Sequence, residues 1–249
     1  MDQARLKELL RRYRSGQITE SRLLEALKFF PYQDLGWAKL DTHRSLRLGF
    51  PEVVYGPGKS QQQLEKIIYS LSQQHRRCLV TRVGLKMAQA LQKKFPHLYY
   101  FPEARLLSLT RPTPKSRRVV AVVCAGTSDL PVAEEAAVTC EILGTKVKRI
   151  WDVGVAGLHR LLDHLPALNR AACLVVVAGM EGALAGVVGG LVGQVVVAVP
   201  TSVGYGAGLK GLAPLLTMVN SCSPNVVVVN IDNGFGAGFV AHLIARTSR

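Results

Sequence analysis

The chain has 249 residues, 48% of them hydrophobic, which is enough to bury a substantial core and argues against global disorder. Its formal charge of +14 is uneven: residues 1–116 hold 21 Lys+Arg against 9 Asp+Glu, a net of +12, and residues 117–249 hold 10 against 8, a net of +2. The basic charges are dispersed and follow no zinc-finger or RNA-recognition pattern, so a solvated basic face or a phosphate site is expected and specific nucleic-acid binding is not.

In chain order, Gln3–Arg14 places Leu6, Leu9, Leu10 and Tyr13 at helical spacing among basic residues, and Gly16 ends that helix. Thr19 can cap a second helix, with Glu20 in its first turn and Leu23, Leu24, Leu27 and Phe30 on its apolar face. The two read as a helical hairpin. Tyr32–Ser60 is polar, aromatic and Gly-rich, with Asp41, His43, Arg44 and Arg47 close together and Glu52 and Lys59 flanking the short strand Val53–Tyr55. Loops that gather His, Arg and Asp are often functional, and a solvated linker is the plainer reading. A helix over Gln61–Gln73, a strand over Cys78–Val83, a helix over Leu85–Phe95 and a strand over Leu98–Phe101 make a small βαβ-like unit. Leu106–Ser116, with Pro112 and Pro114, reads as a linker. The chain thus divides into a basic region, 1–116, and a second region, 117–249.

From Arg117 the alternation is regular. Strands are expected near 118–124, 146–152, 173–179, 195–200 and 225–231, and helices near 130–143, 157–165, 182–192, 207–221 and 235–246. Apolar strands alternating with helices imply a parallel sheet covered on both faces. The apolar run Ala171–Pro200 is interrupted by glycines and Glu181, so it reads as strand–helix–strand, and no membrane partner is expected.

The five strand ends of this region share a composition. They carry Gly126-Thr127-Ser128-Asp129; Asp152 and Gly154, followed by His159 and Arg160; Gly179-Met180-Glu181; Ser202, Tyr205 and Gly206; and Asp232-Asn233. Gly with Thr, Ser, Asp or Asn at one edge of a sheet points to a phosphate-containing ligand there, although neither a P-loop nor a dinucleotide fingerprint is present. Glu181 is either a helix-capping carboxylate or a buried base with a raised pKa. Of the five cysteines, three sit in apolar patterns and none forms a C-x-x-C pair, as in a reduced, cytoplasmic protein. Cys222, in Asn220-Ser221-Cys222-Ser223-Pro224, lies outside any apolar run, as either a bland thiol or a nucleophile.

The stretches AGTSDLPVAEEAAVT, DVGVAGLHRLL, VVAGMEGAL, VAVPTSVGYGA, NSC and VVNIDNGFGAG resemble the LarB family of nickel-pincer cofactor biosynthesis, as does DTHRSLRLGFPEVVYGPGKS in the basic region. The second region is similar in turn to PurE, the aminoimidazole ribonucleotide mutase/carboxylase. The resemblance implies a PurE-like (flavodoxin-like) parallel α/β sheet between helices, preceded by a smaller basic α/β region. It implies a carboxylase and hydrolase that converts nicotinic acid adenine dinucleotide, CO2 (or bicarbonate) and water to pyridinium-3,5-biscarboxylic acid mononucleotide and AMP. Cys222 matches the family's nucleophile and Glu181 its active-site glutamate. Substrate contacts are then expected from Gly126, Thr127, Ser128, Asp129, Asp152, Gly154, His159, Gly179, Met180, Ser202, Tyr205, Gly206, Asp232 and Asn233, with Arg44, Arg47 and Lys59 as cationic partners of the pyrophosphate. A divalent ion such as Mg2+ would suit the pyrophosphate, with its identity left open; no tightly bound organic cofactor is expected, and a homo-octamer follows from PurE-like assembly. Cys124 before the first loop and Ala185 after Glu-Gly-Ala-Leu depart from the family pattern. The alternatives are a PurE-like mutase and a silent nucleotide-binding protein. Gly-Met-Glu-Gly-Ala in place of the PurE histidine loop argues against the first.

Overall fold

The structure, a computed structural model, describes residues 3–27, 31–50, 52–74 and 78–247. Its first elements are α1 (Gln3–Arg14), α2 (Glu20–Leu27), β1 (Tyr32–Asp34), β2 (Lys39–Asp41), α3 (Arg44–Leu48), β3 (Val53–Tyr55), α4 (Gln61–Gln74), β4 (Leu79–Thr81), α5 (Leu85–Lys94), β5 (Tyr99–Phe101) and β6 (Leu106–Ser108). There follow β7 (Val119–Cys124), α6 (Leu130–Leu143), β8 (Lys146–Ile150), α7 (Leu158–Leu162), α8 (Leu165–Arg170), β9 (Cys173–Ala178), α9 (Ala183–Leu191), β10 (Val196–Pro200), α10 (Leu212–Val219), β11 (Val226–Val228) and α11 (Gly234–Thr247). Two compact units result: Met1–Tyr100 with Leu106–Arg111, and Phe101–Arg105 with Pro112–Arg249.

In the first unit β3 and β4 run parallel, joined through α4, and β6 pairs antiparallel with β4. The sheet order is β3-β4-β6-β5. Leu64, Ile67, Ile68 and Leu71 of α4 pack with Val54, Val80 and Leu107 to make its core. Leu106–Ser108, expected as linker, is therefore a buried strand. Leu107 completes that core, Leu106 is buried as well, and the prolines that suggested a linker lie beyond it. The loop expected at Tyr32–Ser60 also holds structure. β1 and β2 form a hairpin whose turn has Gly36 at φ 83 with its N–H donated to Asp34 Oδ1 at 2.7 Å. Helices α1 and α2 are present but bury no residue, and Phe30, expected on the second, lies outside the described residues.

The second unit is a five-stranded parallel sheet in the order β11-β10-β9-β7-β8. Alternate residues of β7 point to opposite faces. Val120, Val122 and Cys124 pack with Ala133, Ala136 and Ala137 of α6 and Ala237 and Ala241 of α11. Ala121 and Val123 pack with Leu161 of α7, Leu168 of α8, Leu184 and Val188 of α9 and Met218 of α10. Both faces are covered, which is why these strands read as unbroken apolar runs. Chain direction across the sheet reverses between β7 and β9, and at such a switch point the loops diverge and leave a crevice at the carboxyl ends of the strands.

Three expected boundaries move. The helix near 157–165 is two short helices, α7 and α8. The one near 207–221 is a 3-10 segment, Gly206–Gly211, followed by α10, and the last strand shrinks to Val226–Val228. The first break falls at residues 163–164, and Pro166 stands in the first turn of α8, where its missing N–H is not needed. Deeper in one continuous helix its ring would clash with the carbonyl four residues back. Arg149 of the edge strand β8 is held by Glu134 and Glu141 of α6 at 2.6–3.2 Å. No helix among the described residues is long and apolar enough to cross a membrane.

The α6–α11 contact is backbone against backbone. A Cβ on Gly238 would fall inside the contact distance of the Ala136 carbonyl oxygen, whereas one on Gly190 would meet nothing within 4 Å. Gly238→Ala is expected to cost about 1–3 kcal/mol through overpacking, and Gly190→Ala to add up to about 1 kcal/mol through lower chain entropy. Urea midpoints measure both. Equal midpoints for Gly238→Ala and wild type would mean that α11 does not rest on α6 as described.

Candidate active site

A cleft of about 730 Å3 opens at the carboxyl ends of β7, β8, β9 and β10. At its floor lies Asp129, only 4% exposed. Its Oδ1 accepts the hydroxyl of Thr201 at 2.6 Å, its Oδ2 accepts the Gly126 N–H at 3.2 Å, and the Gly179 N–H donates to the same carboxylate. Burial pushes this carboxyl above its ordinary range, against the opposing effect of those hydrogen bonds. Asp129 was expected to touch a substrate phosphate. The structure instead encloses it, with its acceptor oxygens engaged by three strand-end loops, and its charge would repel a phosphate.

The loops meet closely around this group. A Cβ on Gly179 would sit 2.7 Å from Thr201 Oγ1 and 3.0 Å from Val203 Cβ, so only glycine fits. Asp152, Met180 and Asp232 adopt φ values of 57, 52 and 56°, each just beyond a strand end. Strain of that kind persists where surrounding contacts enforce it, and it gathers at functional sites. Here the contacts are visible for all three: Arg160 donates to Asp152 Oδ2 at 2.7 Å, the Met180 N–H donates to the Val203 carbonyl at 3.0 Å, and the Ser202 N–H donates to Asp232 Oδ1 at 2.7 Å.

Arg160 is the cation of the cleft. It lies across Gly157, where a Cβ would come 2.8 Å from its Nε. His159, the expected contact, is exposed and does not line the cleft. Gly157 precedes α7 with a non-helical backbone, and the Arg160 side chain folds back from the helix over it. Gly126, Thr127, Ser128, Asp152, Gly154, Gly179, Met180, Glu181 and Tyr205 do line it. Glu181 is exposed at the rim and has no hydrogen-bond partner among the described residues, so the buried-base reading does not hold.

Other expected residues stand elsewhere. Ser202 and Gly206 border a smaller cavity. Asp232 braces the Ser202 loop, and Asn233 Oδ1 accepts the Gly236 N–H at 2.8 Å in the first turn of α11. Cys222 lies in the connection from α10 into the amino end of β11, exposed and outside the cleft of its own chain. The other four cysteines are buried, and burial pushes the thiols of Cys78, Cys124 and Cys173 up to about 12 and that of Cys140 further. Within the first unit, Arg47 forks onto Asp41 at 2.5 and 3.3 Å and meets His43 Nδ1 at 2.9 Å, and Lys59 Nζ donates to the Tyr55 carbonyl at 2.7 Å. Burial would raise the Asp41 carboxyl, but Arg47 and the backbone N–H groups of His43 and Arg44 hold it below its usual range. Arg44 is partly buried beside them. No three His, Cys, Asp or Glu side chains among the described residues form a metal cage. Asp129 is engaged by three donors and Asp152 is paired with Arg160, so these two carboxylates form no ready-made protein cage, and a Mg2+ ion there would draw most of its ligands from water and phosphate.

The family model for a LarB/PurE-like N-terminal domain matches residues 32–111, and that for AIR carboxylase matches residues 119–249. The chain is 40% identical over 254 residues to an uncharacterized protein of Methanocaldococcus jannaschii, with 97% of each chain covered.

The raised Asp129 carboxyl ties stability to pH. The folded state keeps a proton that the unfolded chain releases near its ordinary value of 3.8. The stability this supplies is full below that value and is lost as pH rises through the raised folded value. Asp129→Asn removes this dependence. Between about pH 3 and about pH 6, the difference in thermal midpoint between variant and wild type should therefore drift in the variant's favour. Parallel midpoint curves would show that the carboxyl is not titrating above its ordinary range.

Proposed function

Because this chain belongs to the LarB family and carries its AIR carboxylase domain, an enzyme domain of carboxylase/mutase type, we propose that it carboxylates the pyridine ring of nicotinic acid adenine dinucleotide and cleaves the dinucleotide to pyridinium-3,5-biscarboxylic acid mononucleotide and AMP. One observation carries this reading over aminoimidazole chemistry: four thiols are sealed in the core, and the fifth, Cys222 of the Asn-Ser-Cys motif, is presented to solvent.

An aminoimidazole is electron-rich and attacks CO2 unaided, whereas a pyridinium ring is electron-poor and does not. Addition of the Cys222 thiolate at ring carbon 4 gives a dihydropyridine whose carbon 5 is an enamine carbon. That carbon attacks CO2 and forms the new C–C bond. A base then takes the carbon-5 proton, and the electron pair of that C–H bond restores the ring as the C–S bond breaks. Glu181, on the rim with its oxygens unpartnered among the described residues, is the base in this reading. In the hydrolysis, water oxygen adds to one phosphorus, the bridging P–O bond breaks, and the bridging oxygen stays with the other phosphate. Arg160 and the glycine-loop amides supply the positive field for that charge.

Cys222 lies outside the cleft of its own chain, so this chemistry needs a second copy to deliver it. The surface beside Cys222 suits that role. Leu212, Leu216 and Val219 form an exposed apolar stripe at one-face spacing on α10, which leads directly to the cysteine loop. The working enzyme in this reading is a homo-oligomer, a PurE-like octamer.

Incubation with nicotinic acid adenine dinucleotide and bicarbonate, read by mass spectrometry, should yield the dicarboxylate and AMP. Cys222→Ser should lose the dicarboxylate entirely, and Cys124→Ala should keep it. Cys222→Ser mixed with Arg160→Ala under exchange of subunits should regain activity, since some cleft then receives both groups intact. Near wild-type product from Cys222→Ser sinks the covalent mechanism. A monomeric mass in light scattering, or no regain on mixing, sinks delivery by a second copy.

A further inference from the structure

The connection that carries Cys222, residues 220–225 between α10 and β11, is tied down by its own polar side chains. Serine and asparagine are short, so they bond nearby backbone groups. The Asn220 N–H and Nδ2 both donate to the Leu216 carbonyl, at 3.0 and 2.7 Å, and end α10. The Ser223 N–H donates to Ser221 Oγ at 3.2 Å, which closes a turn with Cys222 at its centre. The Ser223 hydroxyl donates to the Gly186 carbonyl of α9 at 2.9 Å. Asn225 Nδ2 donates to the carbonyls of Gly189, Val192 and Gln194 at 3.1, 3.0 and 2.9 Å.

Two observations separate this anchorage from ordinary helix capping. A helix leaves only its last four carbonyls without internal partners. In α9, which ends at Leu191, Gly189 is one of them and Gly186 is not, so the Ser223 bond serves the loop and not the helix end. Asn225 is the second. Its amide has two hydrogens for three carbonyls, and its Oδ1 is buried with no partner among the described residues. An unpaired buried acceptor is a standing cost, and here it accompanies the one arrangement that ties the loop to three points at once. The approach is close enough to need glycine. A Cβ on Gly189 would stand 2.8 Å from Ser223 Cβ and 2.7 Å from Val226 Cγ2, whereas one on Gly190 would meet nothing within 4 Å.

We propose that Ser223 and Asn225 are positioning residues for the Cys222 thiol: they clamp its loop to α9, so that the nucleophile leaves its own chain with a fixed direction. This rests on the covalent reading of Cys222 and deepens it. A nucleophile inside its own cleft is oriented by the walls around it. Cys222 lies outside the cleft of its chain, so its aim comes from its own loop. Attack on one carbon of a ring demands that aim, since a misplacement of about 1 Å costs about a hundredfold in rate. Helix α9 is a firm mount. Its Leu184, Ala185 and Val188 are packed in the core against the sheet, and it starts two residues after Glu181.

Two measurements on the full chain test it: steady-state kinetics with nicotinic acid adenine dinucleotide and bicarbonate, and amide hydrogen exchange in the peptide 220–226, which needs no substrate. Ser223→Ala and Asn225→Ala should each lower kcat about tenfold or more while KM changes less than about twofold. Both should quicken exchange in that peptide about tenfold and leave β9 and β10 unchanged. Gly189→Ala should act in the same way by displacing Ser223, and Gly190→Ala should change neither quantity. Thermal midpoints show which variants keep the fold. Ser223→Ala deletes a single oxygen and keeps the test open where a bulkier change does not fold. A loosened loop with kcat unchanged, or a raised KM with kcat unchanged, overturns the positioning role. Unchanged exchange in Ser223→Ala and Asn225→Ala overturns the anchorage itself. Loosening by both variants in a protein whose wild type makes no dicarboxylate upholds the anchorage and removes the reaction.

Discussion

One buried carboxylate organises the second unit. Asp129 takes a hydroxyl from the end of β10 and backbone N–H groups from the ends of β7 and β9, so three loops that diverge at the switch point are drawn to one centre. Such a group is stable inside a protein only when its acceptors are filled, and the penalty for leaving one empty is larger than the gain from any single bond. The neighbouring glycine follows from this constraint. Gly179 has no room for a side chain because the loops carrying Thr201 and Val203 come to meet it.

The cleft inherits its electrostatics from this arrangement. With Asp129 enclosed, the exposed charges at the site are Arg160, its partner Asp152 and the rim carboxylate Glu181. A cation already paired can still meet a phosphate, since a dianionic ligand competes with a single carboxylate for the same guanidinium fork. The large positive charge of the chain resides in residues 1–116, where Arg47 is committed to Asp41 and Lys59 to a backbone carbonyl.

Burial also sorts the cysteines. Four thiols line apolar layers, where an ionised sulfur would lose its hydration, and there they act as small apolar side chains. The fifth stands beyond α10, beside an apolar stripe that the described residues leave uncovered. A parallel sheet normally hides both faces, so an exposed apolar flank at its β11 edge is the kind of surface that a second copy covers.

Much of this was legible in the sequence. Strand runs such as Val119–Val123 and the glycines at each strand end depend on local chemistry, which neighbours along the chain already express. The five-strand α/β pattern and the set of Gly-rich strand-end loops therefore followed from residues in order. Other features waited for the tertiary structure. Leu106–Ser108 reads as linker until β4 lies beside it. Asp129 reads as an exposed ligand until Thr201, 72 residues away, closes on it. His159 and Arg160 are adjacent in sequence, and the packing of α7 over Gly157 decided which of them turns into the cleft. Cys222 is marked by its motif, yet its place outside its own cleft comes from the length of α10 and the strand it leads into. Composition and periodicity are properties of a segment, whereas burial, pairing and the direction of a side chain are set by partners that only folding brings near.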